Sequence, residues 1–180
     1  MTKPTSSTGI VRRIDELGRV VIPKEIRKVL RIRDGEPLEI LVDNEKISLK
    51  KFSVMDNYKD MAKTLADETS KVIEKNVLIT NRDMFIVCAG EDKKTFVDKP
   101  ISNYLEKLIV DRKAIVNKNF QGTELVKGEK NNYSYCVSPI INEGNILGLV
   151  IICSSTSTIT TTDEKFALAC AQFLEKYIEE

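Results

Sequence analysis

The sequence predicts two folded modules of different class: a short, mainly β module over residues 1–53 with one short helix, then a longer α+β module over residues 54–180. Three observations predict it. Residues 1–51 carry 12 Lys and Arg against 8 Asp and Glu, a balance of +4, whereas residues 52–180 carry 16 against 19, a balance of −3, so a basic module precedes a mildly acidic one. The first fifty residues alternate β-branched runs with turn signals and leave room for one or two helical turns. Beyond them the apolar period changes in the order helix, strands, helix, strands, helix, which describes an antiparallel sheet with helices packed on it. The 42% hydrophobic and 31% charged content of the 180 residues is that of an ordinary folded chain.

In the basic module, Gly9–Ile14 and Leu17–Ile22 are β-branched runs on either side of Asp15-Glu16, a strand, turn, strand pattern. Pro23 suits the first position of a helix, and Ile26, Val29 and Leu30 give it an i, i+3, i+4 apolar stripe. Arg27, Lys28 and Arg31 fall off that stripe. Asp34-Gly35 marks a turn, Leu38–Val42 a strand, Asp43-Asn44-Glu45 a second turn and Ile47–Leu49 a fourth strand. About fifty residues of this kind bury too little surface to stand alone, so the module is expected to dimerise.

In the second module, Met55, Tyr58, Ala62, Leu65, Thr69 and Val72 follow a 3-4-3-4-3 spacing. It predicts a helix over 55–73 that covers a sheet, with a seam too short for an autonomous coiled coil. Strands are expected at Asn76–Thr80 and Met84–Ala89, a helix at Ile101–Arg112 and a strand at Ala114–Asn117. Tyr133–Ile141 and Ile146–Cys153 form a hairpin around Asn142-Glu143-Gly144-Asn145. After the Ser/Thr loop 154–162, Thr161 with Glu164 writes a capping box for a last helix lined by Phe166, Cys170, Phe173 and Tyr177.

Absences narrow the chemistry. The chain has no His, so it has no Ser-His-Asp or Cys-His unit and no imidazole metal ligand. No nucleophile with a base and no phosphate loop is written, so no enzyme, catalytic residue, metal or cofactor is expected. Cys88, Cys136, Cys153 and Cys170 lie 48, 17 and 17 residues apart, spacings that suit neither a zinc knuckle nor a redox dithiol. They read as small buried hydrophobes of a reducing cytoplasm. Met1–Thr8 has no apolar leader region, and the Ile146–Cys153 run falls far short of the ~20 residues that span a bilayer. A cytoplasmic protein without membrane contact is expected.

The remaining signal is local charge. Residues 1–33 hold 9 basic and 3 acidic side chains, +6 in all. Arg12, Arg13, Arg19, Arg27 and Lys28 fall at strand ends and on the short helix, from which guanidinium forks reach phosphates and guanine edges. The same residues fit a solvated surface balanced by Asp15, Glu16 and Glu25, and composition does not choose between the two.

The string Thr8-Gly9-Ile10-Val11-Arg12-Arg13-Ile14-Asp15-Glu16-Leu17-Gly18-Arg19-Val20-Val21-Ile22-Pro23-Lys24-Glu25-Ile26-Arg27-Lys28, continued through Leu49-Lys50-Lys51, resembles the AbrB-type transition-state regulators. The resemblance covers the whole first module. It implies an AbrB-type swapped-hairpin fold, in which two chains interleave into one dimer that presents arginines from both to double-stranded DNA. By motif position, the DNA-binding residues it implies are Arg12, Arg13, Arg19, Arg27 and Lys28, with Arg31 and Arg33 extending the basic surface. Lys28 stands where close relatives have a second arginine, so a fork is replaced by a point charge. No helix-turn-helix recognition helix is present, which points to phosphate and groove shape more than to a strict base code.

In element order the second module is similar to a GAF domain, a fold often used to sense small molecules. That resemblance implies a small-molecule effector, but names neither the ligand nor the residues of its pocket. The pairing of the two modules resembles regulators of spore-forming bacteria. It implies an activator and repressor of sporulation-stage genes, associated with the nucleoid, in the forespore, with DNA binding adjusted by the GAF-like module. The alternative is a second module that docks a partner protein. Two self-association surfaces are expected, a dimer through the first module and a tetramer through the helices of the second.

Overall fold

The computed structural model describes residues 9–179; Met1–Thr8, read above as lacking a leader, and Glu180 lie outside the described residues. The chain divides into two compact units between Phe52 and Ser53.

In the first unit, α1 (Lys24–Val29) is followed by the strands β1 (Leu38–Asp43) and β2 (Lys46–Lys51). The two strands pair antiparallel in the register Leu38↔Lys51 to Asp43↔Lys46. Asn44 makes their turn at φ +50, a left-handed conformation that Asn tolerates better than most residues. Pro23 precedes α1 as its N-cap, at φ −56 and ψ 145, one position earlier than the sequence predicts.

The runs 9–14 and 17–22 form no strand in the single chain, contrary to expectation. Only their turn is made: the Asp15 N–H donates to the Arg19 carbonyl (3.1 Å) and the Gly18 N–H to the Asp15 carbonyl (3.0 Å). A strand must place its remaining N–H and C=O groups on a neighbour, and within one chain β1 and β2 pair with each other. Many apolar residues of the unit are likewise uncovered. Val11, Val21, Val29, Val42 and Ile47 are each more than 70% exposed, and Pro23 is the single buried residue among those described in this unit.

The second unit is a five-stranded antiparallel sheet in the order β4-β3-β9-β8-β5, built from β3 (Asn76–Thr80), β4 (Phe85–Ala89), β5 (Ile115–Asn117), β8 (Ser134–Asn142) and β9 (Asn145–Ser154). Both faces are covered, which is why β9 reads as a continuous apolar run. Its side chains alternate. Val150 and Ile152 join Met55, Ala62, Ala66, Cys170 and Leu174 on the side of α2 (Val54–Asn57), α3 (Lys59–Ile73) and α6 (Thr161–Glu179). Leu149, Ile151 and Cys153 join Phe85, Phe96, Leu105 and Tyr133 on the other side, that of α4 (Lys93–Phe96) and α5 (Asn103–Asp111).

The expected helix over 55–73 is two helices broken at Tyr58, whose φ −105 and ψ 17 leave helical geometry. Its seam is cover for the sheet. Met55, Ala62 and Thr69 are buried, whereas Val72 is 69% exposed. The sequence reading missed α4 and the small hairpin of β6 (Gly122–Val126) and β7 (Glu129–Asn132). These segments are four or five residues long, and β7 is the polar string Glu-Lys-Asn-Asn, so neither period shows.

The last helix begins one residue earlier in its capping than predicted. Thr160, not Thr161, caps it: the Thr160 N–H and hydroxyl donate to the Asp163 carboxylate at 2.7 and 2.8 Å, and the Asp163 N–H donates to the Thr160 hydroxyl at 3.3 Å. Its buried face is therefore Asp163, Ala167, Cys170, Ala171 and Leu174, and Phe173 and Tyr177 lie outside it, 47% and 42% exposed. Gly148 is a close approach. A Cβ there would collide with the Thr80 carbonyl oxygen, beside the Thr80 hydroxyl that accepts the Leu149 N–H at 3.1 Å.

Candidate nucleic-acid interface

The five predicted DNA-binding residues fall on two local frames, the turn at 15–19 and the helix α1. Asp15 builds the first. Its carboxylate accepts from the Leu17 N–H (3.0 Å), the Arg19 N–H (2.8 Å) and the Arg19 Nε (2.7 Å), an Asx-type turn that holds its own arginine. Gly18 completes it at φ +77, a conformation that costs glycine nothing. The Arg19 backbone N–H, and then its side chain, hold the Asp15 carboxyl below its ordinary value of 3.8. Arg12 and Arg13 precede the turn and are exposed; among the described residues neither makes an ion pair.

The second frame is six residues long. Arg27 and Lys28 occupy the last turn of α1, where the exposed carbonyls favour cations. Arg27 reaches Asp34 at 2.8 Å, with the arginine side chain 39% exposed and the aspartate 96% exposed. Lys28 is exposed and, among the described residues, makes no ion pair. Thus, among the described residues, two of the five cations, Arg19 and Arg27, carry an acidic partner, and Arg12, Arg13 and Lys28 are exposed without one.

Sequence reasoning missed the residue that anchors this surface. The Glu36 side chain is 5% exposed and lies 3.2 Å from the Lys51 ammonium and 3.7 Å from the Arg33 guanidinium. It also accepts the Arg33 N–H at 2.8 Å. Lys51 in turn donates to the Arg31 carbonyl at 3.2 Å. One carboxylate therefore ties the segment after α1 to the end of β2. Its i, i+3 spacing from Arg33 was visible in the sequence, but the adjacent Asp34-Gly35 turn signal masked it.

In the second unit the sheet face beneath α4 and α5 is filled by its own side chains. Phe96 packs against Phe85 at 5.3 Å and against Tyr133 at 5.5 Å between ring centroids, and Phe85, Phe96, Leu105 and Leu149 are fully buried. The Tyr135 hydroxyl donates to the Tyr104 hydroxyl at 3.0 Å, and burial raises the Tyr104 phenol above its ordinary range. An open cleft of 380 Å³ lies on the opposite side, between α3 and the end of β4, lined by Asp67, Glu68, Lys71 and Gly90 among others. Cys136, Cys153 and Cys170 are buried and Cys88 half-buried, all as free thiols. Burial pushes Cys88 and Cys136 up to about 12, so they stay protonated and inert at neutral pH. Among the described residues no helix is long and apolar enough to cross a membrane.

Comparison with known proteins extends both halves. A family model described as "Stage V sporulation protein T C-terminal, transcription factor" matches residues 57–179, and one described as "Antidote-toxin recognition MazE, bacterial antitoxin" matches residues 11–52. Stage V sporulation protein T of Bacillus subtilis (strain 168) is 42% identical over 176 residues, 97% of this chain and 99% of that protein. Transition state regulatory protein AbrB of the same organism is 65% identical over 46 residues, 26% of this chain and 48% of that protein. The GAF domain of an Acinetobacter phosphoenolpyruvate-protein phosphotransferase superposes with a TM-score of 0.55 at 11% identity, over 72% of this chain and 84% of that one. A methyl-accepting chemotaxis protein gives 0.55 at 16% identity, over 70% and 92%. These two likenesses show the fold alone. An AbrB-like N-terminal domain joined to a GAF-like α+β domain defines a transcription factor of two modules, not an enzyme. The chain belongs to the stage V sporulation protein T family.

Proposed function

We propose that the chain is a sequence-tolerant DNA-binding regulator, activator and repressor, of sporulation-stage genes. Residues 1–53 bind double-stranded DNA and dimerise, and residues 54–180 adjust that binding. The observation that carries the reading is the first unit itself: exposed cations on a backbone fixed by Asp15 and by the Glu36 clasp, beside apolar residues that one chain leaves uncovered. A second copy completes the core through swapped hairpins, gives the runs 9–14 and 17–22 their strand partners and doubles the set Arg12, Arg13, Arg19, Arg27 and Lys28 on one face. The protein then works in the cytoplasm on the nucleoid, within the forespore.

Salt tests it. The logarithm of the affinity for a duplex should fall linearly with the logarithm of salt, by about 0.9 per neutralised phosphate. Replacing Arg12 or Arg27 with Ala should flatten the line by about 1 for each contact removed. Affinity and slope untouched by both substitutions would reject those arginines as the interface.

For the second unit two readings stand. A small-molecule effector bound by the GAF-like module adjusts DNA binding; it would raise the unfolding midpoint of the purified protein by mass action. The filled face around Phe85, Phe96 and Tyr133, with Leu168, Phe173 and Tyr177 exposed on α6, supports the other, in which the module docks protein, including further copies of this chain in a tetramer.

A further inference from the structure

Asp15 holds Arg19 at three points. The Asp15 N–H donates to the Arg19 carbonyl at 3.1 Å, the carboxylate Oδ1 accepts the Arg19 N–H at 2.8 Å, and Oδ2 accepts the Arg19 Nε–H at 2.7 Å. The two oxygens have separate tasks. Oδ1, which also takes the Leu17 N–H at 3.0 Å, builds the turn, and an asparagine oxygen in its place would build the same turn. Oδ2 takes no backbone N–H and grips the guanidinium alone.

Stability does not explain that grip. The two side chains are 71% and 42% exposed, and an ion pair in solvent adds little. The carboxylate also sets a negative charge among the cations of the proposed DNA surface, where it weakens the attraction of phosphate. What it achieves is orientation. A guanidinium has five N–H donors in a planar fork. With the Nε–H taken by Asp15, the terminal nitrogens Nη1 and Nη2 are left for a ligand, and among the described residues they have no hydrogen-bond partner.

The other four predicted contacts are built differently. Arg27 has a terminal nitrogen on Asp34 at 2.8 Å, Lys28 offers a point charge in place of a fork, and Arg12 and Arg13 have no carboxylate partner among the described residues. Charges without a fixed direction suit the phosphates, which line the whole duplex. A fork held in one direction with both terminal nitrogens open suits the O6 and N7 acceptors of a guanine in the major groove.

We infer that Arg19 reads a guanine edge and that Asp15 is the positioning residue that aims it. The inference rests on the DNA-binding reading above and divides its contacts: Arg19 supplies base selectivity, one guanine for each chain, and the remaining cations supply affinity for any sequence. So few fixed letters leave the site tolerant of sequence.

The test titrates full-length wild-type protein, R19K and D15N with the tightest duplex drawn from a random-sequence pool, and with copies of it in which 7-deazaguanine replaces each guanine in turn. The analogue removes N7 and keeps the base pair. Wild-type protein should prefer the parent duplex by about 5-fold or more at one of these guanines. R19K keeps the charge without the fork; D15N keeps the oxygen that builds the turn and puts an NH2 group where Oδ2 accepted the Nε–H. Both variants should lose the preference, and D15N should bind the substituted duplex at least as tightly as wild-type protein, since it sheds a repelling charge. The double variant should lose no more than either alone. The inference is overturned if wild-type protein discriminates against none of the substituted duplexes, or if R19K or D15N keeps the preference. It is overturned equally if D15N binds the substituted duplex more weakly than wild-type protein, because Asp15 would then serve the fold. A wild-type affinity that does not depend on salt is a different failure, that of the DNA-binding reading itself.

Discussion

Asp15 shows how one side chain sets a surface. Its carboxylate takes three hydrogen bonds across the turn, two of them from Arg19, and is thereby held below 3.8. A group whose folded value is depressed stabilises the fold above its unfolded value and loses that contribution as pH falls through the folded one. The turn should therefore be intact at pH 5 and above and loosen only in acid below the ordinary carboxylate range. A carboxyl titration followed by NMR should place the Asp15 midpoint below the ordinary aspartate value of 3.8; a midpoint at or above that value contradicts the turn as described. Asp34 plays the opposite part. It pairs with Arg27 at 2.8 Å yet is 96% exposed, so the pair adds little stability and competes with phosphate for the guanidinium. Asp34→Asn should tighten DNA binding by about 2–5-fold at fixed salt with no loss of folded protein; weaker binding would assign the aspartate a supporting role.

At the scale of elements, the second unit is held where its helices meet. Lys75, just beyond α3, lies 3.0 Å from Asp163 in the first turn of α6, with side chains 11% and 3% exposed, and Asp163 also closes the capping box with Thr160. Removing Lys75 leaves the buried Asp163 carboxylate without its counter-ion, with only the Thr160 hydrogen bonds to hold it, so Lys75→Met should cost up to about 3–5 kcal/mol, read as a lower denaturation midpoint. A change within experimental error would mean the pair is solvated. Gly148→Ala should also destabilise, because the added methyl collides with the Thr80 backbone carbonyl and must part β3 from β9.

The same scale shows what could be read in advance. The strands of the large sheet, the hairpin β8–β9 and the helices α3, α5 and α6 were legible, because burial imposes a strong period on long segments. The break at Tyr58 was not, since its apolar neighbours continue the helical spacing on both sides. The face of α6 was misread through its cap: Thr160 and Thr161 are equivalent letters, and only the position of Asp163 separates them. Of the interface, the cations were visible as charge density. Asp34 and Glu36, which hold Arg27 and the Arg31–Arg33 segment, were hidden because their partners are set by the fold of 31–36 back toward β2.

For the whole molecule, the contrast between the units governs assembly. The second unit has a complete core on both faces of its sheet, whereas the first exposes Ile10, Val20, Leu41 and Leu49 at 44–52%. The first unit should therefore unfold at a midpoint that rises with protein concentration, as coupled folding and dimerisation requires. Phe173→Asp, placed at a position 47% exposed on α6, should reduce light scattering from the proposed tetramer to a dimer while the second unit still folds; an unchanged larger species would exclude that face of α6.

The claim at the centre is that a second copy completes the first unit and thereby creates the DNA face, and one substitution joins the two halves. Val20→Asp removes no cation and puts charge into the apolar surface reserved for the partner chain, at a residue 52% exposed in the single chain. Duplex binding by full-length Val20→Asp should fall to the level of a variant lacking Arg12 and Arg27 together, with the second unit still folded by its own unfolding transition. Wild-type affinity and salt slope in Val20→Asp would show that one chain presents the cations unaided, and would contradict the account.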